Sequence, residues 1–166
     1  MPASPSDLFA FLDLHGIGHR TVQHAATFTV AEGRDLKATL PGGHSKNLFM
    51  ADKTGQLVLI SAWAENQLRL NALHRRLGTR RLSFTSGDKL QEVLGVPPGS
   101  VTPFALMNDT QGQVRFIADA ALMAFETVNF HPLVNTATTA IARTDLERFV
   151  RATDHDFEIV DFTRLI

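Results

Sequence analysis

Cysteine and tyrosine are both missing from the 166 residues. Without a thiol there is no disulfide, no thiolate metal site and no cysteine nucleophile. With no tyrosine and one tryptophan, the aromatic complement is almost entirely phenylalanine, 12 residues whose rings carry no polar handle and belong in a core. Neither sign of charge is in excess: 16 Lys and Arg against 17 Asp and Glu leave a formal charge of −1, which excludes a globally basic nucleic-acid binder but not a local basic patch. Long apolar runs are absent too. Stretches such as 57–60 and 104–107 fall far short of the roughly 20 residues that span a bilayer, and MPASPSD at the start carries no basic segment. A cytoplasmic protein with no membrane partner is expected. There is no Gly-x-Ser-x-Gly elbow and no dinucleotide fingerprint.

What is present suits one globular domain over residues 1–166, because 44% hydrophobic residues can fill a core at this length. Ser6 can cap a first helix with Leu8, Phe11 and Leu12 on one face and Gly16 as its stop. Residues 20–24 are extended. Thr29 and Glu32 fit a capping box that opens a short helix to about Leu36. Runs 46–51 and 56–62 are strands joined by the turn at 52–55. Residues 65–77 are expected as a helix with Leu70, Leu73 and Leu77 on one face and Gly78 at its end. A strand at 81–84 precedes a helix at 86–94, closed by Gly95. Runs 104–108 and 114–118 flank a turn at 109–112 and predict a second hairpin. Extended pieces at 125–130 and 138–142 follow, then a helix opened by a capping box of Thr144 and Glu147, then an alternating strand at 157–162. Two hairpins interrupt simple βα alternation, so the expected fold is α+β (mixed α/β): a largely antiparallel mixed sheet surrounded by helices.

Four groups of residues could carry chemistry. Arg69, Arg75, Arg76, Arg80 and Arg81 cluster with His74, and no acid lies between Glu65 and Asp88. Arginine forks match phosphate oxygens, yet the charge pattern alone favours a solvated helix face whose cations offset the helix dipole. Pro41-Gly-Gly-His-Ser-Lys-Asn47 fails the P-loop pattern, since no glycine immediately precedes Lys46. Lys46 is either solvated or presented to a phosphate or carbonyl at the sheet's edge. In Gly95-Val-Pro-Pro-Gly-Ser-Val-Thr-Pro103 the prolines stiffen the chain, so the amides of Gly99, Ser100, Val101 and Thr102 could form a rigid donor set for an ester carbonyl or oxyanion. A stiff connector is the equal alternative. Pro132 restricts His131 to extended backbone, which fixes the imidazole as a structural residue, a binder of an amine or hydroxyl, or a proton carrier. His15, His19 and His24 are interrupted by Gly16 and Gly18 and lack a carboxylate pattern, so no metal site is expected.

In chain order, Lys46-Asn-Leu-Phe49, Arg81-Leu-Ser-Phe84, Leu94-Gly-Val-Pro-Pro-Gly-Ser-Val-Thr-Pro-Phe104 and Phe130-His-Pro-Leu-Val-Asn135 resemble the YbaK-like aminoacyl-tRNA editing family. This is the superfamily of the insertion domain in bacterial prolyl-tRNA synthetases. The resemblance covers essentially the whole chain, and the Phe-His-Pro-Leu segment with Asn135 looks most like the free-standing branch called ProXp-ala or PrdX. It implies a metal-independent hydrolase without cofactor that removes alanine wrongly attached to proline tRNA. The implied partners are the tRNA(Pro) acceptor end carrying alanine and prolyl-tRNA synthetase, and no DNA. By resemblance, Lys46, with Asn47 beside it, would hold the phosphate or ribose of the terminal adenosine. Gly99, Ser100, Val101, Thr102 and Pro103 would orient the carbonyl and the attacking water. His131 and Asn135 would meet the aminoacyl group, and Arg80 and Arg81 the acceptor stem. Other branches clear cysteine, serine or threonine, and a tRNA- or synthetase-binding module without turnover is the reading from another class. The chemistry is sound. Missing methylenes cost a proline pocket only about 1–3 kcal/mol of discrimination against alanine, and an ester is activated enough for positioned water and oxyanion stabilisation to suffice.

Overall fold

The computed structural model describes residues 1–163. Along them run α1 (Pro5–Leu14), β1 (His19–Gln23), α2 (Val30–Thr39), β2 (Gly43–Ala51), β3 (Leu57–Trp63), α3 (Leu73–Leu77), β4 (Ser83–Phe84), α4 (Gly87–Leu94), β5 (Val114–Asp119), β6 (Thr127–Phe130), β7 (Ala137–Ala142), α5 (Arg143–Ala152) and β8 (Glu158–Val160), with 3-10 turns at Leu70–Ala72, Pro103–Asn108 and Leu122–Ala124. One sheet orders the strands β1-β7-β6-β2-β3-β5-β8, with β4 also on β2. Pairs β1–β7, β6–β7, β2–β3 and β2–β4 are antiparallel, and β2–β6, β3–β5 and β5–β8 are parallel. The fold is the mixed α/β class expected, with a mostly antiparallel sheet flanked by helices. No helix among the described residues is long and apolar enough to cross a membrane.

The unbroken apolar run of β3 follows from burial on both faces. Leu57 and Leu59 join the main core with Phe104, Phe116, Phe130 and Phe149, while Val58 and Ile60 join a second cluster with Met50, Leu73, Leu77 and Val160. That second face divides along the sheet. α3, Leu82 and Phe162 beyond β8 cover the β2–β3–β5 end, whereas α2 lies over the β1–β7–β6 end and buries none of its own residues.

Several elements depart from expectation. The first cap is Ser4, whose capping box with Asp7 opens α1 two residues before Ser6 could. Residues 65–69 are not helical: the Asn66 amide closes a turn onto Trp63 and its side chain donates to Asp119, so α3 is one short turn. The run 104–108 coils instead of extending. Thr102 caps it, Pro103 sits at its first turn, and Phe104, Ala105 and Leu106 are all buried. The second hairpin is therefore absent, and β5 pairs in parallel with β3 and β8. α5 starts at Arg143 without a side-chain cap, and Glu147 pairs with Arg151 instead of closing a box with Thr144.

Candidate functional site

A cavity of about 460 Å³ opens between α2 and the sheet. The helix exists because Thr29 and Glu32 satisfy each other's end amides. It forms one wall with Phe28, Gly33 and Leu36. Alternation along β6 builds the floor. Val128 and Phe130 enter the main core, so Asn129 and His131 face the other way, with Thr138 from β7. His44 joins them because the β2–β6 register sets it against Asn129. Lys46 and His131 each lie two residues beyond that pair, on the same face of the sheet.

The ammonium of Lys46 is held by the Asn66 carbonyl, at the end of the cavity where Ala64 contributes to the rim. Asn47 points to the opposite face and braces it: Ser61 donates to its Oδ1 at 2.6 Å, its Nδ2 donates to Ser45 Oγ at 3.1 Å, and Ser45 donates to the Asn129 carbonyl at 2.7 Å. On this edge of β2, Gly43 and His44 pair with β6 and Met50 and Ala51 pair with β4. Residues 45–49 between them have no strand partner there, which leaves a window in the sheet beside Lys46.

Gly99 takes φ 92°, a left-handed value that glycine adopts freely, and a side chain there would begin 3.5 Å from Asn135 Nδ2. The 99–103 loop and the segment after His131 thus touch through Asn135, although neither the loop nor Lys46 lines the α2 cavity. Of the expected donors, the Ser100 amide closes a turn onto Pro97 at 3.1 Å. The amides of Gly99, Val101 and Thr102 meet no acceptor among the described residues. Ser100, Thr102 and Pro103 are buried and Val101 packs on the core, so the loop is rigid.

Burial pushes the His131 imidazole below its ordinary value, helped by His24 and opposed by the Ala137 carbonyl. Its Nδ1 lies 2.9 Å from that carbonyl, which can only accept, so Nδ1 carries the proton and neutral His131 keeps an acceptor lone pair at Nε2. Burial likewise lowers His44, the charge of Lys37 adds to this, and the Leu40 carbonyl opposes it. Arg34 and Lys37 make the α2 wall cationic.

Arg80 and Arg81 are not with these groups. The Arg80 amide donates to Asp52 Oδ2, just past the far end of β2, and the side chain lines a separate groove with Arg75 and Arg115. From Ser45 to Ala51 the strand runs roughly 20 Å. Arg81 is exposed next to β4, and Arg76 donates to the Asp161 carbonyl. Of the early histidines, His19 pairs with Asp13 and stacks on Phe9, His15 packs on Phe11, and His24 alone reaches the cavity region, 6.1 Å from the His131 ring.

Sequence reasoning missed Phe28, Ser45, His44, Asn129 and Thr138. Asn129 had a signal: a polar residue between Val128 and Phe130 on a strand whose apolar residues face the core.

A family model described as an aminoacyl-tRNA editing domain matches residues 24–149. A prolyl-tRNA editing protein, ProX, of Acetoanaerobium sticklandii is 31% identical over 93% of this chain and 94% of its own. Prolyl-tRNA synthetase associated domain-containing protein 1 of Xenopus laevis is 36% identical over 94% and 95%. In fold, the chain is similar to the crystal structure of a candidate trans-editing enzyme for prolyl tRNA synthetase, with a TM-score of 0.70, 17% identity and coverage of 97% of this chain and 99% of that one.

Proposed function

The chain belongs to the aminoacyl-tRNA editing domain family, and from that premise we propose that it hydrolyses the ester joining alanine to mischarged proline tRNA. The observation that carries the proposal is a cavity floored by a neutral histidine acceptor, His131, with a lysine two residues from the His44–Asn129 pair on the same face. In this reading the terminal ribose and phosphate approach Lys46 and the cationic α2 wall. The free amides of the 99–103 loop receive the carbonyl oxygen as it gains charge and orient the water. His131 accepts a hydrogen bond from the aminoacyl end and limits its side chain. A ribose hydroxyl relays the proton from the attacking water. Because the ester is already activated, positioning and fixed dipoles supply the acceleration without a metal. Arg80 and Arg81, roughly 20 Å away along β2, would meet the acceptor stem and not the ester.

The test is a deacylation panel of proline tRNA charged with alanine, cysteine, serine or proline. Alanine is released rapidly and proline is spared, and Lys46→Ala abolishes release while the circular dichroism spectrum is kept. Faster release of cysteine or serine would reassign the substrate. A gel shift of tRNA without release of any amino acid would make the protein a binding module instead.

A further inference from the structure

Asn129 is 1% exposed and lines the cavity. Its Nδ2 donates to the Gly43 carbonyl at 3.2 Å and reaches the Pro41 carbonyl at 3.5 Å. Two carbonyls on one side fix the amide, because the flipped form would set oxygen against oxygen. Its Oδ1 therefore faces the other way, and it is a buried acceptor with no donor among the described residues. Such an oxygen is costly to leave bare and is rarely seen without a partner from outside the chain.

The neighbours cannot supply that partner. Ser45 donates to the Asn129 carbonyl, Thr138 Oγ1 lies 2.8 Å from His24 Nε2, His44 Nε2 faces the Leu40 carbonyl, and His131 Nδ1 faces Ala137. Each floor donor is engaged elsewhere, and no carboxylate lines the cavity. The floor thus carries two acceptors, the buried Asn129 Oδ1 and His131 Nε2, and the cavity's other wall carries Arg34 and Lys37.

We propose that Asn129 Oδ1 receives the α-amino group of the aminoacyl ester, so that the site recognises a free amine as well as a small side chain. The inference rests on the deacylase reading above. An α-amino group donates whether or not it is protonated, whereas an acylated amine is bulkier and a desamino acyl group offers no donor. Asn129 is then a specificity-determining residue that separates free aminoacyl-tRNA from acylated or amine-free esters.

The experiment measures kcat/KM on alanyl-, propionyl- and N-acetylalanyl-tRNA(Pro). Wild type should prefer alanyl over propionyl by roughly 10- to 100-fold, the range of one hydrogen bond to a charged group. In Asn129→Ala the alanyl rate should fall about 10-fold or more and the propionyl rate stay level, so the ratio shrinks by that factor and keeps only what His131 Nε2 contributes. An unchanged ratio in the variant overturns the proposal and leaves Oδ1 as the seat of a structural water. Since Nδ2 also ties the 41–43 segment, loss of folding in the variant is covered by wild type alone: equal rates on alanyl and propionyl esters overturn the inference. Wild type inert on every charged tRNA would instead overturn the deacylase reading.

Discussion

At the scale of single residues, two imidazoles set how the protein responds to acid. Burial holds His131 and His44 below the ordinary value of 6.5. In the unfolded chain both bind protons near 6.5, and in the folded chain only at lower pH. Between those points the unfolded state binds more protons, so stability is present above about pH 6.5 and is lost as pH falls through the folded values. Denaturant titrations should give constant unfolding free energies above neutrality and a decline below it, and His131→Phe should flatten part of that decline. The deacylation rate should fall in the same window if Nε2 must be unprotonated; a rate rising into acid would remove His131 from that role. His131 was legible because Pro132 restricts its backbone and the motif singles it out. Asn129, two residues earlier, belongs to no motif, and its meaning depends on which face of β6 it takes and on what the carbonyls of Pro41 and Gly43 do to its amide.

At the scale of elements, local signals succeeded where a side chain closes on its own backbone. Ser86 and Gly95 bound α4, and Thr29 and Glu32 open α2, as the sequence indicates. They failed where a distant partner decides. Asn66 chooses Asp119 over a helix, and Phe104, Ala105 and Leu106 are buried one after another, so their periodicity cannot separate a strand from a coiled turn. The caps of α1 and α2 are chemically alike yet differ in consequence. Leu8 and Leu12 bind α1 to the main core, while α2 buries nothing. Ser4→Ala should therefore lower global stability by about 1 kcal/mol, seen as a shifted denaturation midpoint. Thr29→Ala should cost α2 about the same locally and leave the midpoint unchanged, with faster hydrogen exchange confined to residues 30–39. A global shift from Thr29→Ala would mean that α2 is coupled to the core.

At the scale of the molecule, the mixed sheet was legible as a class, but the pairing of β5 was not, and the site depends on that kind of long-range fact. Lys46, Asn135 and the 99–103 loop were named from their motifs, whereas the cavity between α2 and β6 joins segments about a hundred residues apart that share no pattern. The stabilising knot of the fold lies elsewhere. Asp109 and His155 form a pair 2.7 Å apart with side chains 0% and 2% exposed. Asp109 also accepts from the amides of Gln113 at 3.1 Å and Val114 at 2.9 Å, and Thr153 lies 3.0 Å from the other nitrogen of His155. The pair ties the start of β5 to the turn between α5 and β8, and none of its members lines the cavity. Asp109→Ala would strand an imidazole and two amides in the interior, a loss of about 3–5 kcal/mol. Asp109→Asn keeps one acceptor oxygen, enough for one of the two amides, and should lose less. Because the knot is remote from His131, the alanyl-tRNA kcat of the folded fraction should stay at the wild-type value in both variants, measured at a temperature below their unfolding. A fall in kcat with the fold intact would show that the β5–β8 end of the sheet transmits strain to the cavity.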